Sequence, residues 1–394
     1  MKVVNRTVLV LSLISLFADI ASEMLYPVVP VYLKEIGFSV LLIGILEGMA
    51  NFTAGLSKGY FGKRSDETGR RLPFIKTGYL LSALSKPLMA ASAFPIWIFF
   101  VRTVDRLGKG FRTAPRDALL SQNATPATKA RVFAFHRGLD TLGAAVGPVL
   151  AMVLLTCFPG DYARVFLLAF IPGLISVALI FLLKEQKQRR STLGRGNFFS
   201  FFQYWKIASP QYKRVVGGFL IFALFNSADV FLLLKTRETT GSDIWTIGAY
   251  VLYNLVFAAA SYPLGSLADR IGIRTVFTVG LVLFAAVYFL FAAAGSVLIL
   301  AIAFFLYGIF AAATEGLAKA WITNLAHNSN TATAIGFYTS CESVCALLAS
   351  IIAGAVWTGM GSSATFIVTA GAAVLVAVYF WIFLKKRHLE KGVI

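Results

Sequence analysis

Apolar residues run along this chain in blocks, without the alternation of a half-buried strand or the one-sided stripe of a surface helix. Stretches such as "FPIWIFFV" (94–101) and "GAAVGPVLAMVLL" (143–155) are apolar on every side. A helix rising about 1.5 Å per residue needs about 20 such residues to cross a hydrocarbon layer about 30 Å thick, where only a helix satisfies its own backbone. The blocks predict twelve spanning helices, at 8–32, 40–60, 73–93, 96–114, 132–157, 163–184, 215–236, 245–267, 275–296, 298–322, 332–358 and 363–384. The longest polar interval, 184–214, divides them six and six. It predicts one bundle over 1–184, a linker over 185–213 and a second bundle over 214–394. The first span is too long for a cleaved leader, carries Asp19 and Glu23 and lacks a small-residue cleavage site, so it is expected to stay.

Composition supports the pattern. The chain is 58% hydrophobic and 14% charged, against about 25% charged for a soluble domain. A net charge of +18 would indicate nucleic acid in a soluble protein, but the cations are not spread as a binding patch. Segments on one side of the spans hold 27 Lys and Arg. Those on the other hold four, Lys34, Arg164, Lys235 and Arg237. That bias predicts a multi-pass plasma (inner) membrane protein with both termini in the cytoplasm, the lipid bilayer as its surroundings and no nucleic-acid partner. Cys157, Cys341 and Cys345 form neither a disulfide framework nor a zinc spacing and read as small packing residues. His136, His327 and His388 are scattered, and no G-x-x-x-x-G-K-[ST] loop occurs. No metal, cofactor or ATP-driven step is expected, and a membrane enzyme is disfavoured.

A repeat links the halves. "GKRSDETGRR" (62–71) and "GSLADRIGIR" (265–274) each follow the second span of their half, with Asp66 and Asp269 203 residues apart. The pattern G-x-x-x-D-[RK]-x-G-x-[RK] resembles the signature loop of the major facilitator superfamily. Gly62, Asp66, Gly69, Arg70 and Arg71 match in the first copy, with Glu67 in place of a cation. Gly265, Asp269, Arg270, Gly272 and Arg274 match in the second. Arg102, Asp105, Arg106, Gly108 and Gly110 resemble the family's fourth-helix motif, in which an arginine serves coupling. Gly143, Gly147 and Pro148 resemble the fifth-helix G-x-x-x-G-P motif associated with antiporters, although Ala151 and Met152 replace its trailing glycines. The resemblance implies an all-α integral membrane fold of twelve helices in two six-helix bundles, with a central cavity open alternately to either side. It implies a monomeric secondary transporter of a small organic solute, driven by protons. Antiport export is favoured over symport uptake, and a non-transporting receptor or a membrane enzyme is the reading from another class. The repeated loops are expected to latch one of two transport states, with Arg70 and Arg71 pairing to carboxylates on neighbouring helices.

Charges inside spans are the remaining signal, because each costs at least about 2.5 kcal/mol at bilayer depth. Arg102, Asp105 and Arg106 share one helical side near the midplane and are expected to serve the cavity or to neutralise one another. Lys109, Arg112 and Arg116 follow toward the cytoplasm, where snorkelling is cheap. Arg137 with Asp140, and Glu315 with Lys319, have the spacing of intrahelical ion pairs and read as scaffold. Asp19 and Glu23, one turn apart, and Glu342 have no cation within helical reach. Desolvation favours their neutral form, which makes them proton-carrier candidates. Asp229 and Tyr26, beside Glu23, are cavity candidates. Lys86 is a lone cation expected to pair across helices, and Glu47 is a further acid of the second span.

Overall fold

The computed structural model describes residues 3–26, 28–185, 190–191 and 196–383. Apart from turns and short 3-10 segments, the described residues are α-helical. The first half holds α1 (Arg6–Leu25), α2 (Val28–Glu35), α3 (Val40–Thr68), α4 (Leu72–Ala90), α5 (Pro95–Gln122), α6 (Lys129–Cys157) and α7 (Tyr162–Ile180). A 3-10 turn at Phe198–Gln203 and the one-turn α8 (Tyr204–Ile207) lie in the connection. The second half holds α9 (Pro210–Phe225), α10 (Val230–Thr240), α11 (Asp243–Ile271), α12 (Ile273–Ala292), α13 (Val297–Leu325), α14 (Thr331–Met360) and α15 (Ser362–Phe383).

These helices make twelve crossings, because α1 with α2 and α9 with α10 each form one interrupted rod. The expected first and seventh spans are therefore not continuous. The first break falls after Leu25, where α1 ends, and before Val28, where α2 begins. The second, Asn226–Asp229, lies between α9 and α10. Among the described residues nine stretches are long and apolar enough to cross a membrane on those grounds alone. The helices α3, α4 and α5 are not among them, and α5 carries charges from Arg102 to Asp117. Neighbouring helices have to compensate for that polarity.

The repeated motifs, expected as loops, are mostly helix. Gly62 to Thr68 form the last turns of α3, which stops at Gly69 in a left-handed conformation (φ 65°) with its N–H on the Asp66 carbonyl. Gly265 to Ile271 likewise end α11 at Gly272 (φ 100°). Glycine adopts positive φ without a Cβ penalty, so each motif positions its aspartate on a rigid helix end.

Within the first bundle α1 packs on α6 and α7, and α5 on α3 and α4. In the second, α12 packs on α13 and α15, and α14 on α9 and α15. The bundles meet where α3 lies against α14 and α6 against α11. The approach is close: a Cβ on Gly336 would stand 2.5 Å from the Lys58 carbonyl oxygen, so only glycine fits at that crossing. Hydrogen bonds between the bundles gather toward the end where α1 begins and α15 finishes. That end is sealed. Large apolar side chains such as Leu298 and Leu375 are more than 70% exposed on the periphery, as a surface solvated by lipid requires.

Candidate functional site

Asp19 and Glu23 lie on the face of α1 that rests against α6, and small residues on α6 place them there. A Cβ on Gly143 would meet the Asp19 Cβ at 3.1 Å, and one on Gly147 would meet the Glu23 Cβ at 2.9 Å. The G-x-x-x-G-P motif is thus a seat for the two acids. Neither carboxylate has a hydrogen-bonding or ion-pairing partner among the described residues, and Asp19 is within electrostatic reach of Lys109, Arg112, Asp140 and Glu23. Two unpaired acids one turn apart repel when both are ionised, which suits groups that take up a proton. Tyr26, past the end of α1, is 51% exposed.

Asp105 is neutralised chiefly from another helix. Lys86 of α4 reaches its Oδ1 at 2.6 Å, while Arg102 on its own helix stands 3.8 Å from Oδ2. Ser82 donates to the same Oδ1 at 2.7 Å. Lys86 and Asp105 are almost fully enclosed, so their desolvation is offset by a charge-assisted bond with a hydroxyl beside it. The expected pairing of Lys86 across helices is thereby met. Arg106 and Lys109 continue half-buried along α5. Arg112 does not snorkel: it is buried, with its guanidinium 4.2 Å from the Tyr79 ring centroid. Arg116 is buried too.

Acids of the second bundle have hydroxyl partners. Tyr338 donates to Glu342 Oε1 at 2.5 Å, one turn away on α14. Tyr307 of α13 donates to Asp229 Oδ1 at 2.6 Å. Asp229 sits at the interruption between α9 and α10, where Ser227 and the Tyr288 hydroxyl also meet at 3.0 Å. The Glu47 side chain lies outside the described residues.

At the sealed end, Asp66 accepts from the Thr333 amide and the Thr333 hydroxyl, both at 2.6 Å. It thereby caps α14 from the opposite bundle, where the helix dipole favours an anion. Arg71 grips its other oxygen at 2.5 Å. Asp269 does the same for α6, accepting from Ala130 and Arg131 amides at 3.2 Å. Two expectations are corrected. Arg70 and Arg270 are exposed, and the cations beside the aspartates are Arg71 and, at 3.4 Å, Arg131. Arg70 and Arg71 follow the helix-stop Gly69, whereas Arg270 is still inside α11 before Gly272; of the motif arginines Arg71 is the one paired with its aspartate. Arg71 does pair with a carboxylate of the adjoining helix, Asp66 at the end of α3. Arg274 instead donates to carbonyls at the end of α15.

The other correction concerns α13. Glu315 and Lys319 do not pair with each other. Glu315 holds Arg137 of α6 at 2.5 Å and Lys319 holds Asp117 of α5 at 2.8 Å. Arg137 also pairs with Asp140 as its spacing predicts. Facing helices offer charge-assisted partners across the seam, Asp117 being fully buried and Glu315 partly exposed, and these displace the intrahelical contact. Ser15 and Asp117 were not legible as site residues. Ser15 has no distinguishing pattern, and Asp117 sits in a basic run that reads as a helix end.

A sequence profile described as "Major Facilitator Superfamily" matches residues 11–252 and 215–393. An uncharacterized MFS-type transporter of Methanocaldococcus jannaschii is 30% identical over 359 residues, covering 90% of this chain and 89% of the relative. The multidrug resistance protein MdtH of Photorhabdus laumondii is 29% identical over 154 residues, 37% of each chain. Among solved structures, the human organic anion transporter MFSD10 superposes with a TM-score of 0.82 at 18% identity, covering 95% of this chain and 99% of that one. The Escherichia coli fucose:proton symporter FucP gives 0.79 at 13% identity, covering 97% and 99%. The duplicated helix-end motifs, the two six-helix bundles and these matches together establish that the chain belongs to the major facilitator superfamily and is a membrane transporter, not an enzyme.

Proposed function

We propose that this transporter exports a small organic solute in exchange for protons, as a monomer in the plasma (inner) membrane with both termini in the cytoplasm. The two bundles, 1–184 and 214–394 joined by the linker 185–213, rock about the α3–α14 and α6–α11 seams. In the state described the cytoplasmic end is sealed by the Asp66 and Asp269 caps. The observation that carries the reading is the unpaired Asp19 and Glu23 held against the α6 glycines. A carboxylate without a direct ion pair binds a proton in one state and releases it in the other when its surroundings change. Glu342, linked to Tyr338, is the acid of the second bundle in the same role. Arg102, Arg106 and Asp229 face the solute path, and Asp105 with Lys86 keeps the fourth crossing neutral. The partial similarity to MdtH, named for multidrug resistance, supports export.

The test is flux in proteoliposomes against a panel of cationic, neutral and anionic solutes. An acidic lumen should drive solute inward, whereas an acidic exterior driving uptake would assign symport. Asp19→Asn, Glu23→Gln and Glu342→Gln then separate the carriers. A carrier's neutral variant loses proton-driven flux and keeps gradient-free exchange. If all three folded variants stay fully proton-driven, these acids are not the carriers.

A further inference from the structure

Seven side chains form a chain of contacts that passes from one bundle to the other and back, its two ends one turn apart on α13. Lys319 Nζ on α13 holds Asp117 Oδ2 at 2.8 Å. Asp117 Oδ1 accepts from Arg116 Nε at 2.9 Å, and Arg116 Nη1 donates to Ser15 Oγ on α1 at 2.9 Å. Ser15 donates to Asp140 Oδ1 at 2.5 Å, and Asp140 Oδ2 pairs with Arg137 on the same helix. Arg137 Nη2 reaches Glu315 Oε2 at 2.5 Å, back on α13 and one turn before Lys319. Asp117, Asp140 and Arg116 are buried, so the network is no surface decoration.

Only two of its links cross the seam, Lys319–Asp117 and Arg137–Glu315. Cutting both leaves each bundle internally neutral. The first bundle keeps Arg116 with Asp117 and Arg137 with Asp140. The second keeps Glu315 and Lys319 four residues apart, in the order in which an acid and a base on one helix attract. Stranding a buried charge such as Asp117 is costly, while the partly exposed Arg137–Glu315 link costs less to break, and for the α13 charges a substitute stands one turn away.

We infer that Glu315 and Lys319 exchange partners during transport: they bind Arg137 and Asp117 when the seam is sealed, and each other when it opens. The network is then a bistable gate with paired charges in both states. Its members are positioning residues for the transport step, and the inference stands whatever ion drives it.

The measurement is the spin-label distance between Thr68→Cys on α3 and Thr275→Cys on α12, both exposed at the sealed end. The full chain in nanodiscs is used, with its three native cysteines replaced. Asp117→Asn removes a seam link and spares the open-state pair, so the open-to-sealed ratio should rise about tenfold, within the range of ordinary conformational couplings. Arg137→Gln removes the other seam link on the same terms and should shift the ratio the same way. Lys319→Gln removes a seam link together with the open-state partner of Glu315, and should shift it clearly less. Lys319→Arg keeps both pairings and should stay within twofold of the parent. A static clamp predicts equal shifts for Asp117→Asn and Lys319→Gln. Equal shifts, or lowered melting temperatures with an unchanged distance distribution, would overturn the partner exchange. Should Asp117→Asn fail to fold, the Arg137→Gln and Lys319→Gln comparison decides by the same ordering.

Discussion

Asp66 and Asp269 occupy equivalent places in the two halves of the chain, and each caps the first turn of a helix belonging to the other half. The caps are unequal. Asp66 is wholly buried, binds Thr333 twice at 2.6 Å and holds Arg71, whereas Asp269 makes two 3.2 Å bonds beside a 3.4 Å contact to Arg131. Duplication of the motif produced a tight seal at α3–α14 and a looser one at α6–α11.

Asp66→Asn should therefore unseal this end more than Asp269→Asn does. Hydrogen bonds to a charged group contribute about 1.5–3 kcal/mol, enough for roughly a tenfold fall in turnover at Asp66 and a few-fold fall at Asp269. Solute affinity, measured separately, should stay within a few-fold, because neither residue touches the solute path. Loss of binding in a folded Asp66→Asn protein would refute the latch.

Lys86→Met leaves Asp105 buried with the Ser82 and Ser85 hydroxyls and a distant Arg102. Breaking such a pair costs about 3 kcal/mol or more. Replacing both partners, with Lys86→Met and Asp105→Leu, removes the stranded charge and should recover most of the loss. Thermal unfolding in detergent of the two single variants and the double one measures this coupling, and additive losses would show that the pair is not the main partner of either charge.

Gly147→Val places a branched side chain where the Glu23 Cβ would stand 2.9 Å from its first carbon. Overpacking of this kind costs about 1–3 kcal/mol, and displacing α1 from α6 should impair proton-driven flux as well. Gly371→Val is the control, since nothing lies within 4 Å of a Cβ there. Equal behaviour of the two variants would dissociate the glycine motif from the acids it seats.

Orientation is tested at the exposed Thr68. A cysteine there, in a background without the native cysteines, should resist an impermeant thiol reagent in intact cells and react once the membrane is permeabilised. Prompt labelling from outside would reverse the assignment of both termini to the cytoplasm.

The number of crossings, the six-and-six division and the repeated motifs were legible in the sequence because hydrocarbon thickness fixes how long an apolar block must be, and because duplication leaves the same residues at the same spacing. That Asp19, Glu23 and Glu342 have no cation on their own helix was legible too, because spacings of three and four residues decide such contacts; that Tyr338 bonds Glu342 was not read from it. Where a partner lies on a different helix, sequence spacing carries no information. Lys86 finds Asp105 19 residues on, Asp66 finds Thr333 267 residues on, and Glu315 and Lys319 turn from each other to Arg137 and Asp117. The interruptions of the first and seventh crossings were likewise missed, since apolar residues continue through them while the backbone does not. Buried charge takes whichever counter-charge packing brings within about 3 Å, so the seal and the network that closes it were decided by the tertiary structure alone.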